Sequence, residues 1–267
     1  MFTNNILLHN HNSKQHLAMI KVSVITVVYN NETFIANAIE SVLSQTYSNI
    51  EYIIIDGGSS DGTLEIINRY KDKVHKIVSE KDKGIYDAMN KGIALATGEV
   101  VGILNSDDVY YSDNVIEEIA EIFNNNLKAD AVFGNLVYCE QANINKVVRR
   151  WITRPHYNTF FEDGEIPPHP GLFVKKSVYN AVGGYNLSYK IAADYEFMIR
   201  AFRASHFKLI FINKFLVRMR LGGASNKSLK NIIQGNKEII RSWKLNGLRF
   251  PAKLLIVRPL KKIAQYL

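Results

Sequence analysis

Three apolar runs in the first half of this chain end in acids. Residues 51–55 lead into Asp56, residues 74–78 into a charged loop holding Asp82, and residues 100–104 into Asn105-Ser106-Asp107-Asp108. If the runs are strands of one parallel sheet, the acids share the rim at the strands' carboxyl ends, where open α/β sheets bind ligands. Carboxylates on one rim repel each other and any anionic ligand, so the arrangement asks for something positive. A divalent cation answers: magnesium is a hard ion, typically held by one or two carboxylates plus substrate phosphates. We therefore expect Mg2+ or Mn2+ on Asp107, with Asp108 in support, and a nucleoside diphosphate bringing the phosphates. The plainer reading is that residues 105–108 only cap the next helix, a place that Asn, Ser and Asp all favour. Asp56 at a neighbouring strand end weighs against it.

The elements that must position these residues show as periodicities. Residues 21–28 (KVSVITVV) form a continuous apolar, β-branched run, as a buried parallel strand should. Ile35, Ile39, Val42 and Leu43 share one face of a helix predicted over 32–45. Strands at 51–55, 74–78, 100–104 and 131–133 alternate with helices through Leu64, Ile67 and Tyr70, over 85–96, and over 115–123. That alternation implies βαβ units and a mostly parallel central sheet flanked by helices, an α/β fold. The second half is less regular. A hairpin is predicted from 136–139 and 147–151, then a long loop over 153–170 containing Pro155, Pro167, Pro168 and Pro170. Helices at 177–182 and 193–204, strands at 207–212 and 215–220, and a helical, basic tail from 228 complete the chain.

The 267 residues, 47% hydrophobic and 22% charged, suit one large α/β domain. The single cysteine, Cys139, excludes an internal disulfide and has no partners at zinc spacing, which fits a reducing cytosol. No apolar run reaches the roughly 18 residues of a spanning helix. The first 19 residues lack the apolar core of a signal peptide and read as a loose leader. The net charge of +8 favours anionic partners. Nucleic acid is disfavoured, since nothing resembles a nucleic-acid module.

Taken in order, the segments VSVITVVYNNETFIANAIESVLSQTY, IIIDGGSSDGT, EKDKGIYDAMNKGIALATGE and GILNSDD resemble the nucleotide-binding half of family 2 glycosyltransferases with the GT-A fold. HPGLFVKKSVYNAVGGYN and IAADYEFMIRA resemble the acceptor half, and the chain looks most similar to bacterial enzymes that build colanic acid, other exopolysaccharides and O-antigens. The resemblance implies a leader over 1–19, a catalytic domain over 20–226 whose halves meet near 134, and a tail over 227–267. It implies a nucleotide-sugar donor, most often a UDP-sugar, and a saccharide or lipid-linked saccharide acceptor. By position, Thr26 and Tyr29 match residues flanking the base, Asp56 the acid that accepts from uracil N3–H, and Asp82 an acid near the ribose and sugar. Asp107 matches the metal-binding acid of the family's Asp-x-Asp motif. Asn105 replaces its first acid, and Asn105 and Ser106 are expected against the donor. Gly57 stands where many relatives have a second acid, a change expected to be tolerated.

Asp194 matches the family's catalytic base, in a pair where Ala193 replaces the usual acid. Inverting transfer needs one carboxylate to take the acceptor hydroxyl's proton. A helix-starting acid favoured by the dipole is the competing reading. His169 falls in the segment expected to line the acceptor cleft, while Arg200, Arg218 and Arg220 are candidates to clamp the diphosphate. A pyrophosphorylase would need a glycine-rich basic loop after the first strand, where Tyr29-Asn30-Asn31-Glu32 stands, and a dinucleotide oxidoreductase would need G-x-G-x-x-G there. A non-catalytic nucleotide-sugar-binding protein is the surviving alternative. The tail over 244–267 combines Lys244, Arg249, Lys253, Arg258, Lys261 and Lys262 with many apolar residues and no acid, and Pro251 and Pro259 are expected to break it into pieces. Such segments lie in the interface of anionic membranes, so a cytoplasmic enzyme peripheral on the inner membrane is expected. Otherwise the tail's apolar residues pack on the catalytic domain or on a second subunit of an oligomer.

Overall fold

The computed structural model describes residues 19–222 and 229–265. The expected leader, apart from Met19, and the boundary expected at 226 lie outside the described residues. Strands β1 (Val22–Val28), β2 (Ile50–Asp56), β3 (Lys76–Ser79) and β4 (Val100–Asn105) form a parallel block ordered β3-β2-β1-β4. All of β1 is buried because helices cover both faces of the sheet, which is why its sequence is apolar without alternation. Helices α1 (Ile35–Leu43), α2 (Thr63–Asn68), α3 (Ile85–Leu95) and α4 (Val115–Asn125) connect or follow these strands. Ile35, Ile39, Ile67, Ile116 and Ile119 from α1, α2 and α4 pack with Val22, Val24 and Ile54 on one face. Ala88, Met89 and Ile93 of α3 pack with Ile25, Val27 and Ile53 on the other.

Beyond β4 the sheet becomes mixed. β5 (Val109–Tyr110) follows Asp108 directly, and β6 (Ala131–Cys139) is one strand where the sequence suggested two pieces. β7 (Val147–Trp151) pairs antiparallel with the second part of β6, giving the expected hairpin. The apolar run 172–174 was not predicted as a strand. It forms β8 (Leu172–Lys175), inserted antiparallel between β4 and β6. The two strands expected over 207–220 are one, β9 (Leu209–Arg220), parallel to β6 and antiparallel to β5. Its register shifts opposite Gly134–Asn135, where Asn135 Nδ2 donates to Asn213 Oδ1 at 3.1 Å, so an irregularity absorbs the polar residues without ending the strand.

Helix α5 (Lys176–Val182) follows β8, and α6 (Ala193–Met198) runs on as a π-helical turn through Ile199–Ala204. The tail forms α7 (Leu229–Leu245) and α8 (Leu254–Ala264). Pro259 lies inside α8, correcting the expectation that it breaks the tail. Its ring removes one backbone donor, leaving the carbonyl four residues earlier, that of Leu255, without its helical partner, on an exposed turn of the helix. Trp243 of α7 is 1% exposed in the core shared by α5, α6 and the sheet. Helix α8 buries Leu254 but leaves Leu255, Ile256, Leu260 and Ile263 exposed. Among the described residues no helix is long and apolar enough to cross a membrane.

Candidate active site

The parallel register puts the strand ends in line: Val28 lies beside Asp56, Asp56 beside Ser79, and Val27 beside Asn105. Asp56, expected as the base-recognising acid, is buried. It accepts from Ser59 Oγ at 2.5 Å, Ser59 N at 3.1 Å and Ser79 Oγ at 2.6 Å. These donors satisfy a carboxylate that burial would otherwise penalise. The loops after β1 and β2 are laced together. Asn30, in the left-handed region at φ 48°, accepts from Ser60 N at 2.8 Å, and Glu32 Oε2 accepts from Gly62 N at 2.7 Å. Tyr29 stands out from this frame, 64% exposed. Thr26 does not join it: its side chain is fully buried and shares a 3.0 Å hydrogen bond with Tyr52 Oη on the far side of β1 from α3, which corrects the expectation that it flanks a ligand.

Asp82 accepts from Gly84 N at 2.8 Å, in the turn that starts α3. A Cβ on Gly57 would lie 2.4 Å from Asp82 Oδ2, so the glycine lets Asp82 close over the end of β2. At the end of β4, Ser106 Oγ accepts from Asn31 Nδ2 at 2.8 Å, tying the motif to the loop after β1. Asp108 is fully buried and accepts from Asn105 Nδ2 at 2.9 Å and Arg220 N at 3.2 Å. Burial, then the neighbouring Asp107 charge, pushes the Asp108 carboxyl well above the usual carboxylate range. Asp108 therefore braces the motif from within rather than facing a ligand. With its amide nitrogen given to Asp108, Asn105 keeps a buried Oδ1 that has no hydrogen-bond partner. An orphaned hard oxygen beside the half-buried Asp107 fits a divalent cation completed by phosphate oxygens. Among the described residues no cluster of three or more His, Cys, Asp or Glu is arranged to hold a metal without such help.

Helix α3 links this rim to Asp194. Tyr86, the second residue of α3 and four residues after Asp82, donates to Ile191 O at 2.7 Å and Asp194 Oδ1 at 3.2 Å. Burial, then the Asp194 charge, drives its hydroxyl far above the ordinary value, so it remains a donor. Its ring lies 5.7 Å from that of Tyr185, whose hydroxyl shares a 2.8 Å hydrogen bond with His169 Nε2. Burial lowers the His169 pKa against the pull of Asp194, keeping the imidazole neutral. The segment before α6 is held from the tail. Glu238 of α7, 3% exposed, accepts from the backbone nitrogens of Lys190, Ile191 and Ala192, each at 2.9 Å. Trp243 Nε1 donates to Tyr195 Oη at 2.9 Å. Tyr86, Tyr185, Glu238 and Trp243 were missed in the sequence. Tyr86 lay inside a motif already singled out, but nothing marked an acid in a basic helix as a partner of residues 190–192.

The arginines are placed differently from expectation. Arg200 is spent on the fold: its guanidinium pairs with Glu196 and donates to the carbonyls of Val182, Gly183 and Gly184. Arg220 is 4% exposed, donating to Gln141 O and Asn37 Oδ1 over the Phe34 ring. Arg218 stacks on Tyr111 where β9 meets β5. Arg200 is thus corrected as a diphosphate clamp, its donors being taken by Glu196 and backbone carbonyls, and Arg220 is corrected because it is buried, with both terminal nitrogens donating within the fold.

A family model described as glycosyl transferase family 2 matches residues 23–180. A PGL/p-HBAD biosynthesis glycosyltransferase of Mycobacterium bovis is 28% identical over 214 residues, covering 76% of this chain and 78% of its own length. An uncharacterized glycosyltransferase of Rickettsia prowazekii is 31% identical, covering 79% of this chain and 67% of its own length. Among solved structures, S. aureus TarS in complex with UDP-GlcNAc matches with a TM-score of 0.69 at 16% identity, over 89% of this chain and 72% of that one. The mannosyltransferase PcManGT from Pyrobaculum calidifontis, in complex with GDP-Man and Mn2+, matches with a TM-score of 0.63 at 18% identity, over 93% of this chain and 74% of that one. At such identities the solved structures share the fold, and the GT-A architecture expected from the motifs is the one found.

Proposed function

Because the chain belongs to glycosyl transferase family 2, we propose that it moves a sugar from a nucleoside diphosphate donor, a UDP-sugar in the first instance, to an acceptor hydroxyl with inversion. The single observation that carries the reading is the run from Asp82 through Gly84 to Tyr86 at the start of α3, which joins the rim of donor-side acids to one half-buried carboxylate through a 3.2 Å hydrogen bond to Asp194. Tyr29, Asp56, Asp82 and Ser106 are assigned to the donor, and Asp194 to the acceptor hydroxyl. In the reaction the bond from the sugar's anomeric carbon to the diphosphate oxygen breaks as the acceptor oxygen attacks from the opposite face, and the hydroxyl proton passes to Asp194. Asp107 and Asn105 Oδ1 would hold Mg2+ or Mn2+ with the donor phosphates. The ion would offset charge developing on the leaving diphosphate. His169, tied to Tyr185, lines the acceptor side as a neutral hydrogen-bonding group.

The proposed setting is bacterial surface polysaccharide synthesis at the cytoplasmic face of the inner membrane. Support comes from α8, where Ile256, Leu260 and Ile263 recur at helical spacing and all face outward, with the exposed Arg249 and Lys262 nearby. A panel of nucleotide sugars, screened by thermal shift with Mn2+ or Mg2+ and then for turnover, tests the function. Stabilisation by one donor and release of its nucleoside diphosphate are expected. Binding without turnover by any acceptor would leave a nucleotide-sugar-binding protein, and no binding at all would remove the reading.

A further inference from the structure

The acid assigned to the nucleobase has no open face. Asp56 is fully buried, and both of its oxygens already accept hydrogen bonds. Ser59 Oγ donates to Oδ1 at 2.5 Å and Ser79 Oγ to Oδ2 at 2.6 Å, while Ser59 N donates to the two oxygens at 3.3 and 3.1 Å. The hydroxyls come from different elements. Ser59 lies in the loop after β2, and Ser79 ends β3, in register beside Asp56. Ser59 is half-buried and Ser79 exposed, so a ligand reaches the carboxylate past them. The backbone around the acid is fixed: Gly57 N donates to Val28 O at 2.9 Å, and Glu80 N to Asp56 O at 3.0 Å. Ser59 Oγ also accepts from Asn30 N at 2.8 Å, which fills one of its lone pairs and leaves its hydrogen as the part that can turn.

Across the carboxylate the side chains therefore read donor, acceptor, donor: each hydroxyl has one hydrogen to give, and a carboxylate only accepts. The imide edge of uracil reads the reverse, with N3–H between two carbonyl oxygens. Cytosine does not match, since its N3 accepts and its 4-amino group donates. We infer that Ser59 and Ser79 are specificity-determining residues that bind the two carbonyls flanking N3–H of a uracil base, with Asp56 between them taking the N3 hydrogen. The inference rests on the reading of Asp56 as the base-recognising acid. As the base enters, each hydroxyl turns its hydrogen from Asp56 to a carbonyl, and the base gives Asp56 the N3 hydrogen in exchange. Hydrogen bonds are traded rather than lost, so the buried carboxylate stays satisfied. A base that cannot make the trade leaves buried groups unpaired, which is how polar sites reject analogues strongly.

The test uses the full chain with Mn2+ and calorimetric titration of UDP, CDP, 2-thio-UDP and 4-thio-UDP. In the thio compounds sulfur, a weak acceptor, replaces one carbonyl oxygen. The native protein is expected to bind UDP more than about tenfold tighter than CDP. It should bind each thio compound about two- to tenfold more weakly than UDP, the worth of one hydrogen bond. Ser59→Ala and Ser79→Ala should each lose UDP affinity by a similar factor and become indifferent to sulfur at one position, a different position for each. Ser79→Thr, which keeps the hydroxyl, should behave as native. Ser79→Ala, at an exposed strand end, carries the test if Ser59→Ala does not fold. Alanine variants that keep both sulfur penalties overturn the inference, because the serines then only brace Asp56. Tighter UDP binding in those variants overturns it too, because the hydroxyls then only block the carboxylate, as does a native protein indifferent to sulfur. Failure of the Asp56 reading shows separately and without any serine variant, as native protein that binds CDP as tightly as UDP.

Discussion

Replacing Glu238 by Gln tests whether the tail helix α7 builds the active site or merely covers it. In the native protein Glu238 Oε1 accepts from Lys190 N and from Gln234 Nε2 at 2.8 Å, while Oε2 accepts from Ile191 N and Ala192 N. Burial pushes this carboxyl up, but the bonds from Gln234, Lys190, Ile191 and Ala192 outweigh it and hold it below the usual range. A glutamine has one acceptor oxygen. Placed at Oε2 it keeps two backbone bonds as neutral ones and turns an NH2 group towards the Lys190 nitrogen. Leaving that buried donor unsatisfied costs about 1–3 kcal/mol, and weakening the other two adds roughly 0.5–1 kcal/mol each. A total near 3 kcal/mol lowers Tm by roughly 6–12 °C in a domain of this size. Because the folded-state value is depressed, the carboxylate's contribution is present above the unfolded value of about 4.3 and drains away as pH falls below it, so the Tm gap should close in acid. The released segment 190–192 leads straight into Asp194, and a misplacement of about 1 Å can cost on the order of 10²-fold in rate. We expect kcat, measured well below the variant's Tm, to fall about 10- to 100-fold with donor affinity unchanged. A variant with the lowered Tm but native kcat would show that Glu238 stabilises the fold without positioning Asp194. An unchanged Tm would refute the energetic argument itself.

Asp194→Asn should keep fold and donor affinity while lowering kcat by about 10²- to 10⁴-fold. Tyr86→Phe alone should cost about 1 kcal/mol, near fivefold, and nearly nothing on top of Asp194→Asn; additive losses in that double-mutant cycle would refute the coupling. Product NMR should show the anomeric configuration opposite to the donor's. Turnover should stop in excess EDTA and return with Mn2+ or Mg2+, and Asp107→Ala should need far more metal for the same rate. Glu51, held at about 2 because bonds from Ser23, Thr97 and Lys21 outweigh the burial that opposes them, stabilises the fold above about pH 4.3 and loses that contribution as pH falls towards 2. The Tm difference between native protein and Glu51→Gln should therefore shrink from pH 7 to pH 3. Sedimentation with anionic vesicles should weaken in high salt and fall when the chain is cut after Asn246; equal binding to neutral vesicles would rule out electrostatic docking.

The parallel half of the fold was legible because each of its signals is local. β1 reads as buried from its own apolar run, α1 from Ile35, Ile39 and Val42, and the rim from acids that directly follow strands. The motif resemblance is what assigns roles to Asp56, Asp82, Asp107 and Asp194, each in a short continuous segment, and those roles are carried by the proposal above. Side-chain direction was not legible in the same way. Thr26 looks close to the rim in sequence, but it sits in a strand buried on both faces, and alternation turns it into the core beside Tyr52. Asp108 and Arg220 look as available in sequence as Asp107 and Arg218, yet burial commits them to Asn105, Gln141 and Asn37. β8 was invisible because its apolar run is too short to register without β4 and β6 on either side. The sequence by itself determined the local elements, the order of the motifs and the chemistry of each side chain, because propensity and periodicity act over a few residues. Which of those side chains meet was decided by tertiary structure alone: Tyr86 with Asp194, Glu238 with residues 190–192, and Arg258 with Tyr195 join partners far apart in the chain, and no local rule reports a contact that exists only after the sheet and helices have packed.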